Sequence, residues 1–326
     1  MTELSRRAVV TAAAAVGAAA TLPLTGAGTA RAQAAAGSKQ QPGFYRYKVG
    51  DIEVTAVTDG IRQFPLPDNF VRNAKKEEVS AALEKAFLPK DQMIISFTPL
   101  VLNTGGKRVV IDTGNGPAQG SVGQFQTNLA ASGVDPAAVD TVIISHFHGD
   151  HINGLRKADG SLAYPNAEIL VPETEWAFWM DDAKMSAAPD GMKPAFQNVR
   201  RVFKDVGEQL TKYSWDKEIA PGVTAVATVG HTPGHTSFVV ASGNGKLFVQ
   251  SDVTNNPYLF VRNPGWHAIF DMDGAKAEET RRRVFDMVAA ERLMLAGFHF
   301  PFPAVGHIEK DGSRYEFVPT YWNPVL

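Results

Sequence analysis

A short apolar run, Asp140-Thr141-Val142-Ile143-Ile144-Ser145, opens directly into His146-Phe147-His148-Gly149-Asp150-His151. The run reads as a buried strand, so three imidazoles and a carboxylate arrive together at a strand end. Imidazole and carboxylate ligands suit zinc and its transition-metal neighbours. In an extended segment alternate side chains share a side, so His146 and His148 can hold one ion. Gly149 permits a tight turn, after which Asp150 and His151 can address a second position.

Composition narrows the chemistry further. The 326 residues include no cysteine, which excludes a disulfide framework, a Cys nucleophile and Cys-ligated zinc or iron–sulfur centres. With 44% hydrophobic and 20% charged residues the chain is globular. Its 32 Lys and Arg nearly balance 34 Asp and Glu, a net charge of −2. A protein held by nucleic-acid phosphates carries a basic excess, so that partner is not expected.

Residues 1–32 read as an export signal rather than as fold. Ser5, Arg6 and Arg7 precede an uncharged Ala/Gly/Thr stretch, and Ala30-Arg31-Ala32 and Ala32-Gln33-Ala34 both fit cleavage sites. The arginine pair resembles the twin-arginine address, which implies a periplasmic or secreted protein. An anchor over residues 8–30 is the weaker reading, because Ala, Gly and Thr insert poorly and Pro23 suits removal. No stable membrane anchor is expected. The remainder, residues 33–326, is expected to be a single domain.

Strand-like segments at 51–58, 98–103, 108–112, 238–241 and 246–250 alternate with helical candidates at 75–87, 124–132, 173–182, 193–206 and 273–290. Two stretches, LVLNTGGKRVVIDTG and FVVASGNGKLFVQSDV, look like two copies of one hairpin. Mixed elements in one long unit suggest sheets covered by helices, an α/β layered domain.

The H-x-H-x-D-H run resembles the signature of the metallo-β-lactamase superfamily. The resemblance implies an αββα four-layer sandwich built from two similar halves, with two divalent metals at one sheet edge. Zinc is the first expectation for those metals, with Mn, Co or Fe as alternatives. Thr232-Pro233-Gly234-His235 matches the family's next ligand turn, so His235 is expected as a ligand and His231 as a neighbouring loop residue. Lys246–Ser251 leads to Asp252, expected to bridge the metals, and Leu293–Phe298 leads to His299, preferred over His307 as the last ligand. The implied set is His146, His148 and His235 on one metal, with Asp150, His151 and His299 on the other. Asp112, in Asp112-Thr113-Gly114, is expected to support the metal loop from behind.

That ligand set implies hydrolysis by a metal-bridging hydroxide, with Asp150 as the catalytic carboxylate. The G-x-S-x-G signature of serine hydrolases is absent. Within the superfamily the chain most resembles the methyl parathion hydrolase branch, through His299-Phe300-Pro301-Phe302-Pro303 and Phe64-Pro65-Leu66-Pro67-Asp68-Asn69-Phe70-Val71-Arg72. This implies a neutral hydrophobic small-molecule substrate: an organophosphate triester, an aryl ester or a lactone. Phe64, Leu66, Arg72, Trp179, Phe196, Tyr258 and His267 are the candidate pocket residues. Acyl-homoserine lactonases usually carry a Tyr where this chain has Asn255, which weakens that assignment without removing it. Relatives are often dimers, so a homodimer is allowed. An exported metal-binding or sensing protein without catalysis is the alternative of another class.

Overall fold

The computed structural model describes residues 43–326; the expected export signal lies outside the described residues. Two seven-stranded sheets dominate. The first runs, in spatial order, Phe44–Val49, Ile52–Val57, Leu100–Thr104, Lys107–Ile111, Thr141–Ile143, Glu168–Pro172 and Leu210–Tyr213. The second runs Glu218–Ala220, Val223–Ala227, Thr236–Ser242, Gly245–Ser251, Met294–Gly297, Val305–Asp311 and Arg314–Pro319. Gly60–Pro65 and Gln92–Phe97 form a separate two-stranded ribbon.

The central strands of both sheets are covered on both faces, and this explains their nearly continuous apolar sequences. Leu100, Leu102, Val109 and Ile111 meet Phe238, Val240, Leu247 and Val249 in the core between the sheets. Their alternate neighbours Val101 and Val110 turn outward, into a core under the helices Phe125–Ala131 and Lys193–Phe203. On the far side Phe248 and Leu295 pack with Val284, Phe285 and Val288 of the long helix Gly274–Ala290. Three apolar layers between four structural layers make the expected αββα sandwich. Each fully buried Val, Leu or Phe in them contributes roughly 1.5–3 kcal/mol of transfer free energy.

The two similar hairpins are a real structural repeat. Leu100, Val101 and Leu102 pair with Ile111, Val110 and Val109, as Phe238, Val239 and Val240 pair with Val249, Phe248 and Leu247. Each hairpin then adds a parallel strand, Thr141–Ile143 in one half and Met294–Gly297 in the other. Each second strand exits through a non-glycine residue in the left-handed region, Asp112 at φ 60° and Ser251 at φ 51°. That shared bend turns both chains off the sheet edge where the histidines collect.

Most helical expectations match within a few residues. The segment expected as one helix over 173–182 is two, Glu173–Trp179 and Asp182–Ala187, because Asp181 caps the second by accepting from the N–H groups of Ala183 and Lys184. Among the described residues no helix is long and apolar enough to cross a membrane.

Candidate metal centre

Thr141–Ile143 ends beneath a loop carrying His146 and His148, and Gly149–Ile152 is a single helical turn that presents Asp150 and His151. Gly149 therefore begins a helix. Thr113 closes this turn from below, its N–H and hydroxyl both donating to the His151 carbonyl at 2.8 Å. Gly154, just beyond, has no room for a side chain, since a Cβ would lie 1.8 Å from the Thr113 carbonyl oxygen.

His146 Nε2 and His148 Nδ1 are 3.1 Å apart, and His148 Nδ1 is 2.9 Å from His231 Nε2. His231 Nε2 is in turn 3.3 Å from Asp252 Oδ2. On the other side His151 Nε2 lies 3.5 Å from Asp150 Oδ2 and 3.3 Å from Asp252 Oδ1. His299 Nε2 lies 3.4 Å from Asp150 Oδ2 and 2.9 Å from Asp252 Oδ2. Asp252 thus touches both halves.

The expectation for His235 is corrected. His231 occupies the third place beside His146 and His148, and His235 has both ring nitrogens spent elsewhere. Its Nδ1 donates to the Thr228 carbonyl at 3.0 Å, and its Nε2 accepts the Asp252 main-chain N–H at 2.9 Å. His307 is exposed on an outer strand, with Nδ1 donating to the Leu293 carbonyl at 3.0 Å.

Three of the inward-facing histidines, His151, His231 and His299, are held from behind. Asp112 Oδ2 accepts from His151 Nδ1 at 2.8 Å, while its carboxylate also takes the N–H and hydroxyl of Ser145. Asp112 therefore stands behind the His146–His151 loop, where it could orient a ligand. His231 Nδ1 donates to Asp271 at 2.9 Å, and Asp271 pairs with the buried Arg281 at 3.2 Å. His299 Nδ1 donates to the Ser96 carbonyl of the ribbon at 2.8 Å.

The donor set fits divalent metal ions. His151 Nε2 and Asp252 Oδ1 are buried and, among the described residues, without hydrogen-bond partners. Burial, reinforced by the neighbouring imidazoles, holds His146 well below its ordinary range and pulls His148 down to about 3. Neutral rings present lone pairs, and lone pairs facing each other at such distances repel unless a cation lies between them. Burial opposes the charge on Asp150 and Asp252, yet His151 and His299 hold both carboxyls below their usual range. His146, His148 and His231 would hold one ion, Asp150, His151 and His299 a second, and Asp252 both.

The cluster opens into a cavity of about 600 Å³. Phe64, Phe70, Ile95, Phe97, Ile269 and Phe270 give it an apolar side, and Arg62, Asn115, Asn153 and Asn255 a polar one. Of the expected pocket residues, Phe64 is on this wall and six are not. Leu66 is core beneath the ribbon. Arg72 instead fastens a wall loop by donating to the carbonyls of Ile269 and Asp271. Trp179 and Phe196 are buried in the helical layer, packed on each other at 4.7 Å. Tyr258 lies beneath the Arg262 guanidinium, and His267 pairs with Glu278 at 2.9 Å.

The cluster and its cavity define a metal-ligating pocket at the shared edge of two repeated half-sandwiches. The chain belongs to the metallo-β-lactamase superfamily, whose family model matches residues 98–299. Ribonuclease TTHA0252 of Thermus thermophilus is 31% identical over 180 residues, 53% of this chain and 38% of that protein. N-acyl homoserine lactonase AttM of Agrobacterium fabrum is 31% identical over 137 residues, 39% of this chain and 44% of that protein. The matched stretches thus span less than half of either relative. Among solved structures, AidC, a dizinc quorum-quenching lactonase, superposes with TM-score 0.82 at 24% identity, covering 86% of this chain and 98% of that one. The hydrolase AbOPH gives 0.81 at 27% identity, covering 87% and 100%.

Proposed function

We propose that this chain is a metal-dependent hydrolase of neutral, largely apolar ester-type substrates: lactones, aryl esters or organophosphate triesters. The observation that carries the reading is the convergence of seven imidazole and carboxylate groups, five of them lining the floor of a cavity that has one apolar, phenylalanine-rich side. Divalent cations held there would supply Lewis acidity and lower the pKa of water toward neutrality. Asp150, whose side chain is 23% exposed on the cavity side, is held ionised. Its carboxylate orients the attacking water and accepts its proton at an Oδ atom. Phe64, Phe97, Ile95 and Phe270 bind the apolar part of the substrate and exclude bulk water. The matched stretch of AttM favours the lactone end of this range, and the resemblance of Phe64–Arg72 and His299–Pro303 to the methyl parathion hydrolase branch favours the triester end. Export through residues 1–32 to the periplasm or medium belongs to the same reading.

A panel of chromogenic aryl esters, lactones and phosphotriesters with matched leaving groups tests it. Turnover of at least one class, lost with chelator and restored by zinc, supports the reading. Zinc binding with no turnover across the panel would favour an exported metal-binding protein.

A further inference from the structure

Behind the three-imidazole half lies a carboxylate that no ligand assignment uses. Glu175 is fully buried, at 0% exposure, in the first turn of the helix Glu173–Trp179. Its Oε1 accepts the Phe147 main-chain N–H at 3.1 Å and the Trp179 indole N–H at 2.8 Å. Its Oε2 accepts the Gly234 main-chain N–H at 2.7 Å. Phe147 stands between His146 and His148, and Gly234 lies in the turn that begins at His231. One side chain therefore ties together the two loops that carry these three histidines.

The seating is close. A Cβ on Gly234 would lie 2.3 Å from the Glu175 main-chain nitrogen, so the turn rests directly on the helix. Trp179, held by the same carboxylate, stands edge-on to the His148 ring at 6.4 Å. The opposite half is held by other groups: Asp112 behind His151 and the Ser96 carbonyl behind His299. Burying a carboxylate is expensive, a cost offset here by three N–H donors that an apolar side chain would leave unsatisfied. What an apolar side chain could not do is accept from both loops at once.

We propose that Glu175 is a positioning residue that sets the mutual spacing of His146, His148 and His231, and through it the affinity of that half for its metal. The proposal rests on the metal-centre reading above. Removing a group that orients metal ligands typically weakens metal binding by about 10–100-fold.

The test measures each half alone. His299→Ala leaves the three-imidazole half, and His231→Ala leaves the half built from Asp150, His151 and His299. Zinc affinity of each is measured by competition with a chromogenic chelator, with and without Glu175→Gln. The glutamine keeps the shape but turns an NH2 group toward donors that need an acceptor. The expected result is a loss of about tenfold or more in the His299→Ala background and less than about twofold in the His231→Ala background. Should Glu175→Gln fail to fold, Trp179→Phe removes one donor within an apolar layer and is expected to show the same asymmetry, at about threefold. Equal weakening in both backgrounds, or none in either, overturns the proposal. A His299→Ala parent that takes up no zinc overturns the metal-centre reading itself, a failure distinguishable from that of Glu175.

Discussion

The Nε2 of His235 accepts the main-chain N–H of Asp252 at 2.9 Å. A ring nitrogen committed to a backbone donor has no lone pair left for a metal, so His235 acts by fixing where Asp252 sits. His231, four residues earlier, faces the cluster instead.

The two histidines should therefore separate cleanly. His231→Ala is expected to lower tightly bound zinc by one equivalent per chain. His235→Gln should retain both equivalents and lose stability, by about 1–3 kcal/mol for a buried hydrogen-bonding group left unsatisfied. Metal analysis of the two purified variants, alongside denaturant melts, checks this. Zinc lost from His235→Gln and kept by His231→Ala would reverse the assignment.

His235 also carries a pH signature. Burial, reinforced by His231, pulls its folded-state pKa from 6.5 to about 3. As pH falls from 6.5 toward 3, the unfolded chain takes up a proton here that the folded chain does not. Stability supplied by this group is thus present above pH 6.5 and lost on acidification through that window. Metal-free wild type should lose stability between pH 6.5 and 4 more steeply than metal-free His235→Gln. Parallel curves would contradict the linkage.

Asp150→Asn keeps the shape and removes the charge that the proposed reaction uses to orient and deprotonate water. With metal saturating, kcat should fall by about 10²-fold or more, with KM nearly unchanged. The control is metal content, measured on the same sample. Wild-type turnover by the fully metallated variant would leave Asp150 as a replaceable ligand.

The aromatic residues divide by layer. Phe270→Ala, on the exposed part of the cavity wall, should raise KM for apolar substrates several-fold and leave the fold intact, whereas Phe97→Ala, buried against Phe298 and His299, should raise KM and also lower stability. Trp179→Ala, fully buried in the helical layer, should cost about 3–5 kcal/mol of stability. Substrate kinetics and thermal melts on the three variants distinguish the roles.

Much of this was legible because the carriers are local. The strand running into His146–His151 states its chemistry within a dozen residues, and the hairpins at Gly105-Gly106 and Gly243-Asn244 announce the repeat by their alternation. The ligand turn was harder, because two Gly-His pairs stand four residues apart in Gly230-His231-Thr232-Pro233-Gly234-His235. The distinguishing signal is position: the strand Thr236–Ser242 starts immediately after His235, placing that ring under the sheet end and His231 at the turn. The cavity wall was least legible. Ile95 and Phe97 alternate along one strand, but they face the site only because Gln92–Phe97 pairs with Gly60–Pro65 outside both large sheets. Trp179 and Phe196 read as pocket residues, since composition does not distinguish an aromatic wall from an aromatic core.

The most direct test titrates zinc into metal-free protein while following hydrolysis of whichever ester or lactone the panel identifies. A centre in which Asp252 would serve two ions predicts that the rate rises to a plateau at two equivalents per chain, and that His231→Ala and His299→Ala each abolish the rise. Full turnover without metal, or a plateau at one equivalent unchanged in His299→Ala, would contradict the account.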